Sequence, residues 1–210
     1  VRGGLAGNQA GREGAALRWV RLRDAGASVA LVNDAKYGYD ALGGELRLTA
    51  LRCVPCVHGP TRPDWQAEEF LDEGAQSFRY VLVPDAGTAA GLCRRAEALH
   101  LPLTVTAECA HGGPLPPTAS FAGLAGDPAH LAALKQAEDG RGWIVRLLET
   151  EGRPARVRLT LFGRPLDREV ALRPHGLVTL RVAPGADGAW TAAPVNLIEE
   201  DALDAAPRPG

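Results

Sequence analysis

Ser28-Val29-Ala30-Leu31-Val32-Asn33-Asp34-Ala35-Lys36-Tyr37-Gly38-Tyr39-Asp40 decides how this chain of 210 residues is read. Val29 to Val32 is a short apolar run, the mark of a buried strand. The second half sets an amide, two acids, an amine and two phenols around Gly38, which is too polar for an ordinary turn. Asn33, Asp34 and Gly38 all tolerate positive φ, so the backbone is expected to fold back here and present polar side chains to one side. Gly43-Gly44 then gives a tight turn, and Glu45 to Arg52 alternates polar and apolar residues. Residues 29–52 therefore read as strand, functional loop, turn and strand.

Outward from this stretch, residues 1–16 are rich in Gly, Ala and Arg without a period, and are expected to be disordered or frayed. Residues 53–75 form a long polar loop containing Pro55, Pro60, Pro63, Asp64 and Trp65. Gln76 to Val83 alternates as a strand. Thr88 to His100 carries Ala89, Leu92, Ala96 and Leu99 near helical spacing and predicts one short amphipathic helix. Leu101 to Ala107 reads as a strand, and Ser120 to Ala125 as a short apolar segment. Asp127-Pro128 could cap a helix over residues 126–139. Trp143 to Thr150 and Pro154 to Leu161 read as two strands of a hairpin around Glu151-Gly152-Arg153. Leu177 to Val182 alternates, Gly185 to Gly188 turns, and Val195 to Ile198 closes the sheet. Many short strands between Gly and Pro turns argue for a β-sandwich.

Composition excludes several classes. Hydrophobic content is 46% and net charge is −2, so nothing points to nucleic acid or an anionic membrane surface. No apolar run approaches a membrane span, and the N-terminus lacks the apolar core of a signal peptide. Met is absent, even at position 1, which is expected of a fragment or of a non-standard start codon written as Val. Of the four cysteines, Cys53 and Cys56 form a C-x-x-C, but Cys93 and Cys109 supply no second pair, so reduced cytosolic thiols are expected.

Asn33-Asp34-Ala35-Lys36-Tyr37-Gly38-Tyr39-Asp40, with the Gly turn and Leu46-Arg47-Leu48-Thr49-Ala50-Leu51-Arg52, resembles the C-terminal β-domain of glycoside hydrolase family 38 α-mannosidases. Phe78-Arg79-Tyr80-Val81-Leu82-Val83-Pro84 resembles the family's Phe-x-Tyr-x-Leu-x-Pro strand. Lys135-Gln136-Ala137-Glu138-Asp139, running into Ile144 to Glu149, resembles its Lys-Ala-Glu-Asp turn and following strand. Asn196-Leu197-Ile198-Glu199-Glu200 resembles the Asn-Leu-x-Glu near its C-terminus. Pro63-Asp64 and Asp72-Glu73-Gly74 match further segments. The chain departs from the pattern at Arg21, where the family carries an acid, and at Gln76, where it carries a His.

The resemblance covers roughly residues 17–202 and implies an all-β fold, a β-sandwich with one short helix, followed by a tail at 203–210. It favours a strand over a helix at Lys135 to Glu138. It implies the C-terminal portion of a retaining, zinc-dependent enzyme hydrolysing terminal α-mannosides in the cytoplasm. The nucleophile, the acid/base and the zinc belong to a catalytic barrel whose His-x-Asp signature this sequence lacks, so no catalysis and no zinc are expected of this chain alone. The implied partners are that barrel and a mannose-containing oligosaccharide. Asn33, Asp34, Lys36, Tyr37, Gly38 and Arg52 are the candidates for a wall of the active site. Asp34, Lys36, Tyr37 and Arg52 would make the polar contacts, and Asn33 and Gly38 would shape the loop. The same loop also reads as a structural knot, with Asp34 bound to backbone amides and paired with Lys36. The alternative functions are a stand-alone carbohydrate-binding module and a degenerate remnant. Glu138-Asp139 and Glu199-Glu200-Asp201 read as solvated acids, the tryptophans as packing residues, and the histidines (His58, His100, His111, His130, His175) as structural or surface groups.

Overall fold

The computed structural model describes residues 13–52, 73–84, 86–114, 116–126, 128–185 and 187–201. The C-x-x-C pair, the Pro63-Asp64 segment, Trp65, His58 and the tail expected at 203–210 lie outside them, as does all but the end of the segment expected at 1–16. The strands are β1 (Gly14–Ala15), β2 (Trp19–Arg23), β3 (Ser28–Asn33), β4 (Gly38–Leu42), β5 (Glu45–Leu48) and β6 (Tyr80–Pro84). The helix α1 (Ala89–His100) follows, then β7 (Ala122–Ala125), β8 (Ala129–Gln136), β9 (Trp143–Glu149) and β10 (Ala155–Leu161). Last come β11 (Arg164–Pro165), β12 (Val170–Leu172), β13 (Leu177–Pro184) and β14 (Trp190–Val195). Among the described residues the regular structure is mostly strand with one helix, as the sequence predicts. The sequence reading treated residues 17–202 as one β-domain; the contacts concentrate in two compact units, the first holding residues 1–87 and 91–103, the second 88–90 and 104–210.

In the first unit, β3 lies between β2 and β6, and β4 between β1 and β5, all antiparallel. Val20, Ala30, Val32 and Val83 are buried, as are Leu92 and Ala96 on the inner stripe of α1. Arg21 stands where an acid was expected. Its guanidinium donates to the Gly87 carbonyl at 2.6 Å and lies 6.0 Å from the centre of the Trp19 ring.

In the second unit, β14-β13-β9-β8 form one antiparallel sheet, and β10 pairs with β7, β11 and β12 in another. The period-two pattern of β10 turns Ala155, Val157, Leu159 and Leu161 inward and Arg156 and Arg158 outward. These meet Val145 and Leu147 of β9, Leu180 and Val182 of β13, and Trp190 of β14 in one core. Burying this much aliphatic surface, at about 25 cal/mol per Å², is the main force holding the sandwich together. The cap residue expected at Asp127 lies outside the described residues; residues 129–136, where a helix was the alternative, are a strand, since sheet context overrides propensity.

Four local expectations fail. The end of the segment expected to be frayed is ordered: Gly14 and Ala15 pair with β4, and Ala16 is buried. Trp143 to Leu161 is not a hairpin: β9 pairs with β8 and β13, whereas β10 lies in the other sheet. The link between them is a crossover, set by Glu149, whose buried carboxylate accepts the amides of Glu151, Gly152 and His175 at 2.7–2.8 Å. No strand forms at 101–107, where Leu103 and Val105 are 93% and 88% exposed; apolar alternation without a partner strand leaves its backbone groups to water. The last strand ends at Val195, because Asn196 opens a turn by accepting the amides of Ile198 and Glu200.

Candidate functional site

The polar loop predicted at 33–38 joins β3 to β4. None of Asn33, Asp34 or Gly38 takes positive φ, so the expected fold-back comes from side-chain bonds instead. Asn33 is buried, and its Oδ1 accepts the Lys36 amide at 3.1 Å, which turns the chain. Its own carbonyl faces Nε2 of His100 at 2.9 Å, at the end of α1. Gly38 is needed for space: a Cβ there would stand 2.9 Å from the Glu13 carboxylate and 3.0 Å from Thr49 Cβ.

Asp34 does not pair with Lys36. It continues the β3–β6 ladder, its amide donating to the Arg79 carbonyl at 3.2 Å. Its carboxylate takes the Arg79 amide at 2.8 Å and Arg79 Nε at 2.9 Å. The Arg79 amide, helped by its guanidinium, holds the Asp34 carboxyl below its ordinary 3.8. Arg79 also donates to the Leu99 carbonyl at 3.1 Å, near the C-terminus of α1. Lys36 places its ammonium 5.5 Å from the centre of the Phe78 ring, and Phe78 stacks on Tyr80 with centroids 6.4 Å apart. Tyr37 is 50% exposed, whereas Tyr39, one pleat on, is buried.

The structure thus brings Asn33 to Gly38 together as one braced loop. Arg52 lies exposed beyond β5, with no hydrogen bond or ion pair to that loop among the described residues. Arg79 went unnoticed by sequence reasoning, although its place between Phe78 and Tyr80 on the paired strand could have signalled it.

A second polar cluster brings the Lys135–Asp139 and Asn196–Glu200 motifs together. Glu199 is not a solvated acid. It is 6% exposed, has φ 68°, and pairs with Lys135 while accepting the Glu138 amide at 2.8 Å. Arg181 donates to the Glu199 carbonyl at 2.9 Å and to both Asp139 oxygens at 2.8 Å. The Lys135 ammonium, then the Glu138 amide, hold the Glu199 carboxyl below its ordinary 4.5. Every strong contact of Glu199 is internal, so the cluster reads as a clamp on the C-terminal turn. Asp139 is paired rather than solvated, and Glu138 stays exposed. Among the described residues, no group of three or more His, Cys, Asp or Glu could hold a metal ion.

The profile of the glycosyl hydrolases family 38 C-terminal domain matches residues 6–55, across the braced loop. That of the family 38 C-terminal beta sandwich domain matches residues 128–206, across the clamp. The chain belongs to glycosyl hydrolase family 38. It carries the C-terminal domains of that α-mannosidase family, in the order the four sequence motifs implied. Alpha-mannosidase 2C1 of Homo sapiens is 35% identical over 141 residues, 64% of this chain and 12% of the relative. The Mus musculus protein of the same name is 34% identical over the same shares. Alpha-mannosidase G of Dictyostelium discoideum is 26% identical over 168 residues, 76% of this chain and 14% of the relative. The chain therefore spans only about an eighth of the length of these relatives.

Proposed function

We propose that this chain is the C-terminal β-portion of a retaining, zinc-dependent α-mannosidase that hydrolyses terminal α-mannosides of oligosaccharides in the cytoplasm. The observation that carries the reading is the pair of family 38 profiles matched in order along the chain, together with relatives named alpha-mannosidases. The chain supports a catalytic barrel and lends that barrel's active site one wall, built from the 33–38 loop and Arg52. Zinc, nucleophile and acid/base would belong to the barrel, where the metal would supply orientation of the sugar hydroxyls. A retaining glycosidase needs two carboxyls about 5–5.5 Å apart. Asp34 is committed to Arg79, and Glu199 to Lys135 and the Glu138 amide, so neither suits that work. The loop instead offers fixed donors to a polyol, the Tyr37 hydroxyl and the Lys36 ammonium.

The test compares hydrolysis of 4-nitrophenyl α-mannoside by the complete polypeptide, by the same polypeptide without residues 17–201, and by this chain alone. We expect activity only in the first. Undiminished hydrolysis without residues 17–201 would overturn the reading. Heat of mannose binding to this chain alone would favour a free-standing carbohydrate-binding module instead.

A further inference from the structure

We infer that Arg79 is a positioning residue for the 34–37 loop, fixing Asp34 in the structure so that Lys36 and Tyr37 are the side chains left to meet a ligand. The inference rests on the active-site-wall reading above and adds to it the residue that sets the wall's geometry. Arg79 touches three places at once. Its backbone amide and Nε bind the two oxygens of Asp34, and its Nη2 reaches the Leu99 carbonyl of α1. A guanidinium can do this because its donors form a rigid fork; an ammonium is a single point charge and cannot span both acceptors.

The consequence for the loop is direct. Asp34 sits between the buried Asn33, whose carbonyl meets His100, and the Asn33–Lys36 turn. With Asp34 held on β6, the residues after it run alongside Phe78, which puts the Lys36 ammonium over that ring. Tyr37 then projects outward. Arg79 already donates to both oxygens of Asp34, whose side chain is only 17% exposed, so little of the carboxylate is left to meet a ligand. The loop therefore presents donors and no free carboxylate, which suits an oxygen-rich neutral ligand and disfavours a cationic one. Arg79 is itself exposed on its outer side, so its replacement spares the core.

The experiment has two arms. In the complete polypeptide, kcat and KM for 4-nitrophenyl α-mannoside are measured for Arg79→Ala, Arg79→Lys, Lys36→Ala and Tyr37→Phe. We expect Arg79→Ala to raise KM about tenfold with kcat nearly unchanged, a difference in binding on the scale of one charge-assisted hydrogen bond. Arg79→Lys should recover only part of it. In this chain alone, Arg79→Ala should speed hydrogen exchange of the amides of residues 34–37 while leaving the melting temperature close to wild type. If Lys36→Ala and Tyr37→Phe raise KM but Arg79→Ala does not, the positioning role is wrong and the wall stands. If none of the four variants changes KM, wall and positioning role fall together. Unchanged exchange in Arg79→Ala would overturn the inference whatever the kinetics.

Discussion

Asp34 and Glu199 are each held by a cation and a backbone amide, yet they organise their surroundings in opposite ways. Arg79 meets Asp34 at the edge of a sheet, and the loop so braced leaves Lys36 half-buried and Tyr37 exposed. Lys135 and the Glu138 amide meet Glu199 inside a turn, and what that turn leaves outside is apolar, Leu197 and Ile198. The first arrangement serves presentation and the second closure. The difference lies in solvent access: an exposed ion pair contributes little stability, whereas a buried carboxylate stripped of its partners would be costly. Glu149 extends the contrast, because its carboxylate is sealed against the amides of Glu151, Gly152 and His175, with no ion pair to it among the described residues.

The strongest way to test this contrast is Glu149→Ala. Loss of the charged acceptor for three amides at the crossover should cost about 3 kcal/mol, read as a lower urea midpoint. A near-neutral result would mean that water replaces the carboxylate and that closure does not depend on it. Next is Glu199→Gln, which keeps the shape of the side chain but removes the charge opposite Lys135. It should lower the melting temperature by several degrees and, unlike an Asp34 variant, leave exchange in the 34–37 loop untouched.

The pH dependence follows from the same geometry. Burial pushes the Glu149 carboxyl up, but the backbone amides that bind it, that of His175 foremost, outweigh it and hold it below its ordinary 4.5. Glu199 is also held below 4.5. A carboxyl whose folded value is depressed contributes stability that is complete above its unfolded value and lost as pH falls through the folded one. Melting temperature should therefore fall as pH drops below about 4.5, and the fall should be shallower in Glu199→Gln. The smallest expected effect is Gly38→Ala, about 1 kcal/mol from crowding against Glu13 and Thr49. No change in the urea midpoint would show that this side of the loop can give way.

Much of the fold was legible because burial writes a period into sequence. The alternation of Ala155 to Leu161, the helical spacing of Leu92 and Ala96, and the apolar run at Val29 to Val32 all appear as the elements they predict. Alternation says which face of a strand is buried but nothing about its partner. The contiguous strands β9 and β10 therefore read as a hairpin, although the structure divides them between two sheets. Leu101 to Ala107 carried the pattern of a strand and found no partner among the described residues. In the loop, the residue types at 33–38 marked a polar turn, but the pairing of Asp34 was misassigned. Asp34 had a cation two residues away in Lys36 and chose one 45 positions on, because strand pairing delivers the Arg79 amide and guanidinium together.

The sequence by itself determined the family, the strand-rich composition and the two polar motifs, since all three depend on residue identity and short-range order. Only the tertiary structure decided that Glu199 is buried, that Glu149 turns the chain between sheets, and that Arg79 braces the loop. Each of those outcomes depends on backbone amides and cations brought in by strand register, and register arises from long-range pairing that no local stretch encodes.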